Sequence, residues 1–164
     1  MVFLMEFSEK AAFAGCIKSK QIKIATNKRR EVWVFTTIIT PRVSETNGAG
    51  HISNTVVPIW FEAGRTEIYK IMTPDLSFGN WKLVLVNMNV DYIKQIFLNA
   101  DVEVKTWIER IGNKSFTVYE EMFQNGQICA KGTATYVYFN YEIQQSEVIL
   151  QDVRTELAKH LYKK

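Results

Sequence analysis

From Glu31 onward the chain alternates between β-branched or aromatic runs and polar turns, and each run predicts an element. Residues 32–40 are apolar on both faces, which predicts a buried strand that Pro41 ends. A loop rich in Ser, Thr, Asn and Gly follows over residues 42–53. Over residues 54–72, Val57, Phe61, Gly64, Ile68 and Ile71 recur at spacings of three and four, the period of a helix. Asn54 is placed to cap that helix and Pro58 is tolerated only near a helix start, so the helix is expected to begin close to Asn54.

Four strand-like runs come after a turn at residues 74–80. Residues 81–96 open apolar on both faces and then put Val84, Val86, Met88, Val90 and Tyr92 on one side. Residues 101–111 alternate, with Val102, Val104 and Ile108 opposite Asp101, Glu103, Lys105 and Glu109. Gly112-Asn113 turns this run into residues 114–124, and Asn125-Gly126, a strong hairpin signal, turns that into residues 127–141. These last three predict a meander. From Ser146, the residues Ile149, Val153, Leu157 and Leu161 recur every four positions, with Lys159, Lys163 and Lys164 near the end where the helix dipole favours cations. The order is strand, helix, four strands, helix. It predicts an α+β fold: one antiparallel sheet of about five strands wrapped around a long central helix, closed by a C-terminal helix.

Composition narrows the class. A length of 164 residues suits one domain with one core, and 47% hydrophobic residues with three Pro and eight Gly exclude a disordered or linker-rich chain. The net charge of +3 is uneven: residues 1–31 hold seven Lys/Arg against Glu6, Glu9 and Glu31, which leaves −1 for the rest. Residues 1–30 therefore read as a basic N-terminal extension on a body of residues 31–164. A solvated extension is the expectation for it rather than a duplex-binding face, and no nucleic-acid partner is expected. Cys16 and Cys129 form no CxxC pair and read as reduced thiols of a cytoplasmic protein. With His51 and His160 as the only histidines, a zinc site lacks ligands. Residues 1–7 are apolar but short and lack a positive lead, so they do not read as a signal peptide, and no stretch approaches the roughly 18 apolar residues of a membrane helix. No glycine-rich phosphate loop is present, which removes nucleotide hydrolysis and dinucleotide redox chemistry from the expected functions.

Two segments carry more than periodicity. The stretch Asn47-Gly48-Ala49-Gly50-His51-Ile52-Ser53-Asn54, followed by Trp60-Phe61-Glu62-Ala63-Gly64-Arg65, resembles the G-H-x-x-N and F-E-x-x-R signature of hotdog-fold thioesterases of the 4-hydroxybenzoyl-CoA thioesterase-like group. Val90-Asp91-Tyr92, Val102-Glu103-Val104 and the run from Arg110 to Phe116 look like the same group, so the likeness spans about residues 31–141. The resemblance implies a hotdog fold and a homodimer, or dimer of dimers, formed by edge pairing of two sheets. It also implies hydrolysis of an acyl-CoA or acyl-carrier thioester at the dimer interface, with no cofactor beyond the coenzyme A of the substrate. Many relatives place an Asp where Asn47 stands, and an amide can neither take a proton from water nor form an acyl intermediate as a carboxylate does. A second branch of the group is similar to the pattern here, with an amide in the loop and a carboxylate on the central helix of the partner subunit. In that reading Asn47 orients water or the thioester and Glu62 attacks or activates.

Thioester hydrolysis needs donors for the carbonyl oxygen, a carboxylate to activate water and a dry slot for the acyl chain. A helix starting near Asn54 offers unpaired N–H groups and a positive dipole end, which makes Asn54 and Thr55 the candidate backbone donors. Glu62, two turns into an otherwise apolar helix, is preferred over Glu45 as the base, because burial makes a carboxylate a stronger base. Plainer roles stand beside these. Glu62 precedes Arg65 by three, the spacing of a helix-surface ion pair. His51 follows Gly50, where it suits a turn-stabilising hydrogen bond as well as acid–base work, and Glu45 suits a solvated loop. Ser44 and Ser53 lack a nucleophile-elbow pattern around them. Tyr69 and Trp60 read as packing residues, and Cys129 as a core thiol. Arg110, Lys114 and Lys131, on or between the meander strands, are candidates for the phosphates of coenzyme A. The alternative function, which Asn47 favours, is acyl-CoA binding without catalysis.

Overall fold

The computed structural model describes residues 17–25 and 31–162, so the readings of residues 1–7, Cys16, Lys163 and Lys164 concern positions outside the described residues. One sheet organises the chain. Its strands are β1 (Ile17–Ala25), β2 (Glu31–Ile39), β3 (Leu83–Tyr92), β4 (Val102–Ile111), β5 (Ser115–Gln124), β6 (Gln127–Asn140) and β7 (Gln145–Ser146). All pairings are antiparallel in the order β1-β2-β4-β5-β6-β3, with β7 on the end of β6. The meander β4-β5-β6 is the expected one. The described residues form seven strands where about five were expected.

The additional edge strand β1 lies inside the stretch read as a basic extension. It runs from Ile17↔Ile39 to Ala25↔Glu31 against β2, with Lys18, Lys20 and Lys23 exposed. Lysines on an outer strand discourage further pairing, and the same lysines masked the strand's alternation. β7 is two residues long, too short to leave a period.

The helical segment starts later than expected and is broken. Residues 53–56 form a turn closed by Val56 N–H donating to Ser53 O at 3.0 Å, and α1 spans Val57–Gly64 with Pro58 in its first turn. Pro58 supplies no N–H there, and none is needed in the first turn. α2 (Thr66–Met72) continues beyond Arg65, whose N–H reaches back only to Glu62 O at 3.0 Å, a tighter step than the α-helical one. The third helix, α3, is Gln151–Lys159, five residues later than its apolar spacing suggested because β7 takes up Ser146.

Close approach fixes where α1 sits. A Cβ on Gly64 would lie 2.8 Å from Val104 Cγ1 and 2.9 Å from Thr106 Oγ1, and a Cβ on Gly132 would lie 3.0 Å from the Phe61 ring. Glycine at both positions lets helix and sheet meet, which buries Phe61, Trp60 and Val57 against Val102, Val104, Met122 and Ala130. Each such side chain contributes about 1.5–3 kcal/mol through burial. A second cluster joins Ile68 of α2 and Leu157 of α3 to Phe35, Ile108, Phe116 and Tyr136. Cys129 is buried as a free thiol, as its place in a strand suggested.

Among the described residues β3 is the opposite edge. It pairs with β6 on one side, from Leu83↔Tyr138 to Tyr92↔Ala130, with an irregularity between Leu85 and Asn87. Leu85, Val86, Met88 and Tyr92 are exposed along it. Among the described residues no helix is long and apolar enough to cross a membrane, and no cluster of three His, Cys, Asp or Glu side chains could hold a metal ion.

Candidate active site

Two neighbouring features concentrate the polar chemistry: the loop of residues 42–55 and a groove between the helices and β3. In the loop, Glu45 is buried rather than solvated. Its carboxylate accepts from Arg42 N–H at 2.7 Å, from Arg42 Nη2 at 2.8 Å and from Trp60 Nε1 at 3.2 Å. Burial works to raise its pKa, and the hydrogen bonds from Arg42 and the Trp60 indole outweigh it, holding the carboxyl below its ordinary value. Glu45 thus pins the loop onto α1, and Trp60 is both a packing residue and a donor.

Asn47 and His51 close a turn on each other. Asn47 N–H donates to His51 O at 2.9 Å, Asn47 Oδ1 accepts from Ala49 N–H at 2.9 Å, and Asn47 Nδ2 lies 3.2 Å from His51 Nδ1. His51 Nδ1 is also 3.3 Å from Ile52 O. Gly50 sits in this turn at φ +82, a conformation that glycine adopts without strain. Asn54 and Thr55 are exposed in the turn before α1, not in its first helical turn. Thr55 N–H faces Ser53 Oγ at 3.4 Å, and Asn54 O accepts from Tyr92 Oη at 2.8 Å, which ties the loop to the far end of β3.

The groove has a volume of about 250 Å³ and is lined by Pro58, Ile59, Glu62, Arg65, Tyr69, Trp81, Leu83, Leu85, Met88 and Tyr136. Glu62 is exposed on its wall rather than buried as its place on an apolar helix suggested, because that position faces the groove and not the sheet. None of the loop residues Glu45, Asn47, His51, Asn54 or Thr55 lines it. The Glu62–Arg65 pairing that the spacing suggested gives way to a buried contact: Arg65, 1% exposed, turns inward and places Nε 3.6 Å from Glu120 Oε2. Arg65 Nε also donates to Phe61 O at 3.2 Å, and Nη1 donates to Tyr136 Oη at 2.8 Å. Tyr136 Oη lies 2.6 Å from Tyr69 Oη, so Tyr69 is part of a polar network as well as a packing residue.

Glu120 is 1% exposed, and its Oε1 has no hydrogen-bond partner among the described residues. Burial pushes its pKa up to about 8 against the opposing pull of the Arg65 guanidinium. Sequence reasoning did not reach Arg65, Glu120 or Tyr136 as site residues. The one signal was the Arg of the F-E-x-x-R motif; the two strand residues carry no local mark.

The three candidate phosphate contacts are not gathered at the groove. Lys114 donates from Nζ to Ser146 O at 2.8 Å. Arg110 is exposed near the end of β4, opposite Thr117. Lys131 lies in mid-sheet between Asp91 and Glu121, on the face away from α1, since its neighbours Ala130 and Gly132 face the helix.

Comparison with known proteins places this arrangement. The model of the thioesterase-like superfamily matches residues 41–157. A solved structure described as a predicted thioesterase from Bacillus stearothermophilus is 56% identical, with a TM-score of 0.79 over 80% of this chain and 98% of that one. A thioesterase from Thermus thermophilus, solved with coenzyme A and zinc, shares the fold at 22% identity and a TM-score of 0.68, over 74% of this chain and 95% of that one. A DHNA-CoA thioesterase from Staphylococcus aureus shares it at 23% identity and a TM-score of 0.60, over 69% of this chain and 78% of that one. No curated protein matches the chain. With the family model spanning residues 41–157 and the sheet order above, the chain belongs to the thioesterase-like superfamily and has its hotdog fold.

Proposed function

We propose that this protein hydrolyses an acyl-CoA thioester as a homodimer, with Glu62 of one subunit activating water in a site completed by the loop of the other. The observation that supports this reading is that Glu62 and the loop around Asn54 lie near opposite ends of β3, whose outer side is unpaired among the described residues. Glu62 lines a groove walled by Leu83 and Leu85, at the start of β3. Asn54 is held by Tyr92, at its end. An isologous, antiparallel pairing of β3 with its own copy puts the start of one strand beside the end of the other, which brings the loop of each subunit to the groove of its partner. The exposed apolar side chains along β3 favour such pairing, because an unpaired apolar edge is a template for association.

The chemistry then follows from the groups present. The Glu62 carboxylate takes a proton from water, and the hydroxide attacks the thioester carbon. Backbone N–H groups of the partner's loop, with Asn54 and Thr55 as candidates, hold the resulting oxyanion. Collapse breaks the carbon–sulfur bond and expels the thiolate, which recovers the proton from Glu62. Asn47 builds the turn that presents these amides. The coenzyme A bound in the Thermus relative supports a CoA thioester over other thioesters.

One observation favours the alternative of binding without hydrolysis: Asn47 is an amide, which cannot take a proton from water, and both ends of it are engaged inside the turn. Aromatic, short-chain and long-chain acyl-CoAs separate the readings. Hydrolysis releases free thiol above background for at least one of them, whereas saturable binding with no thiol release supports the alternative.

A further inference from the structure

Four polar side chains from four elements form a continuous chain through the interior: Glu120 of β5, Arg65 at the α1–α2 junction, Tyr136 of β6 and Tyr69 of α2. Burying such a chain costs stability compared with apolar packing, so its retention asks for a use. Its order of donation is set by its members. Arg65 can only donate, and it does so to Tyr136 Oη at 2.8 Å. Tyr136, 4% exposed, already accepts from Arg65, which leaves Tyr69 Oη, 2.6 Å away, as the acceptor beside its own proton, and we take the donation to run from Tyr136 to Tyr69. The Tyr69 hydroxyl, already accepting, is left with its own proton to donate. Tyr69 and Tyr136 line the groove whose other walls are Pro58, Ile59, Trp81 and the apolar side chains of β3.

We infer that Tyr69 donates a hydrogen bond to an oxygen on the acyl group, so that this site selects acyl chains bearing a hydrogen-bond acceptor over plain hydrocarbon chains. This rests on the hydrolytic reading above and deepens it. Tyr69 stands seven residues beyond Glu62, about 10 Å along the helical segment at 1.5 Å per residue. The acceptor oxygen therefore lies several bonds beyond the thioester carbon that Glu62 serves. The groove of about 250 Å³ also limits size, since an apolar cavity of roughly 150 Å³ already admits a benzene ring. A donor polarised by a buried guanidinium is stronger than a lone phenol, and a site built to hydrogen-bond an oxygen discriminates against the analogue that lacks it.

The test is a series of straight-chain acyl-CoAs paired with counterparts in which one CH2 beyond the β-carbon is replaced by a ketone. The ratio of kcat/KM within each pair is measured for the parent and for Tyr69→Phe. For the best-placed ketone we expect a ratio of at least about tenfold in the parent, falling to near one in Tyr69→Phe, in line with one charge-assisted hydrogen bond. A parent ratio near one at every position, or a ratio that survives Tyr69→Phe, overturns the assignment. If no member of either series releases thiol, the hydrolytic reading fails separately. The Tyr69 assignment is then decided by the ratio of Kd values for the matched non-hydrolysable thioethers, with the same two outcomes.

Discussion

The loop of residues 42–55 and the groove beneath β3 each present a glutamate, and the two are held in opposite ways. Glu45 is buried with three donors on its carboxylate, two from Arg42 and one from Trp60. Glu62 is exposed on a groove wall beside β3, a strand paired on one side only among the described residues. A carboxylate whose acceptor positions are filled holds structure, while one that faces an apolar hollow is open to water and substrate. The same contrast extends inward. In the loop the side chains of Glu45 and Asn47 are both partnered, whereas the groove rests on Arg65 and Glu120, with one Glu120 carboxyl oxygen unpartnered among the described residues.

The sharpest way to break this contrast is to neutralise each glutamate. Glu62→Gln should lower the rate of thiol release by about 10²–10⁴, the usual contribution of a general base, without moving the melting temperature. Equal turnover in the variant would remove Glu62 from the chemistry. Glu45→Gln should do the reverse. It loses charge-assisted hydrogen bonds to Arg42 and Trp60 and should cost about 2–3 kcal/mol in urea unfolding, with the pH–rate profile of the folded enzyme unchanged.

Stability against pH separates the two buried carboxylates as well. The pKa of Glu45 is lowered from 4.5, so its contribution is present above that value and is lost as the pH falls below it. The pKa of Glu120 is raised from 4.5 to about 8, so the folded state holds a proton that the unfolded chain has released, and stability falls as the pH rises through that window. Denaturant midpoints measured across pH should show a decline between about pH 4.5 and about 8 in the parent and a flatter profile in Glu120→Gln. An unchanged profile would mean that Glu120 stays ionised throughout.

The smallest expected effect is that of Asn47→Asp. The carboxylate can still accept from Ala49 N–H and keeps its second oxygen beside His51 Nδ1, so stability should change by less than about 1 kcal/mol and turnover should be retained or increased. Complete loss of turnover with the fold intact would show that the amide itself is used.

How much of this was legible in the sequence depended on the distance over which each feature is encoded. The meander could be read because its strands alternate and its turns carry Gly-Asn and Asn-Gly pairs at their own positions. β1 was missed because Lys18, Lys20 and Lys23 protect an edge, and a protected edge has the composition of a solvated tail. The start of α1 was placed three residues early because Asn54 has the chemistry of a cap, but Ser53 closes the preceding turn instead. Glu45 read as solvated because nothing local shows that Trp60, fifteen residues on, reaches its carboxylate. The network under the groove was the least legible part. Glu120 and Tyr136 meet Arg65 only through strand register, which periodicity leaves open.

The central claim is that each site is shared between two chains, and subunit reassortment tests it most directly. Glu62→Gln is mixed with Thr55→Pro, which deletes a candidate N–H donor from the loop, after each variant alone has been shown to be folded and inactive. Shared sites predict recovery of up to about a quarter of the parental rate on mixing, because half of the randomly reassorted dimers are mixed and each carries one intact site. Activity no greater than that of the separate variants, in a preparation shown to contain mixed dimers, would contradict the account.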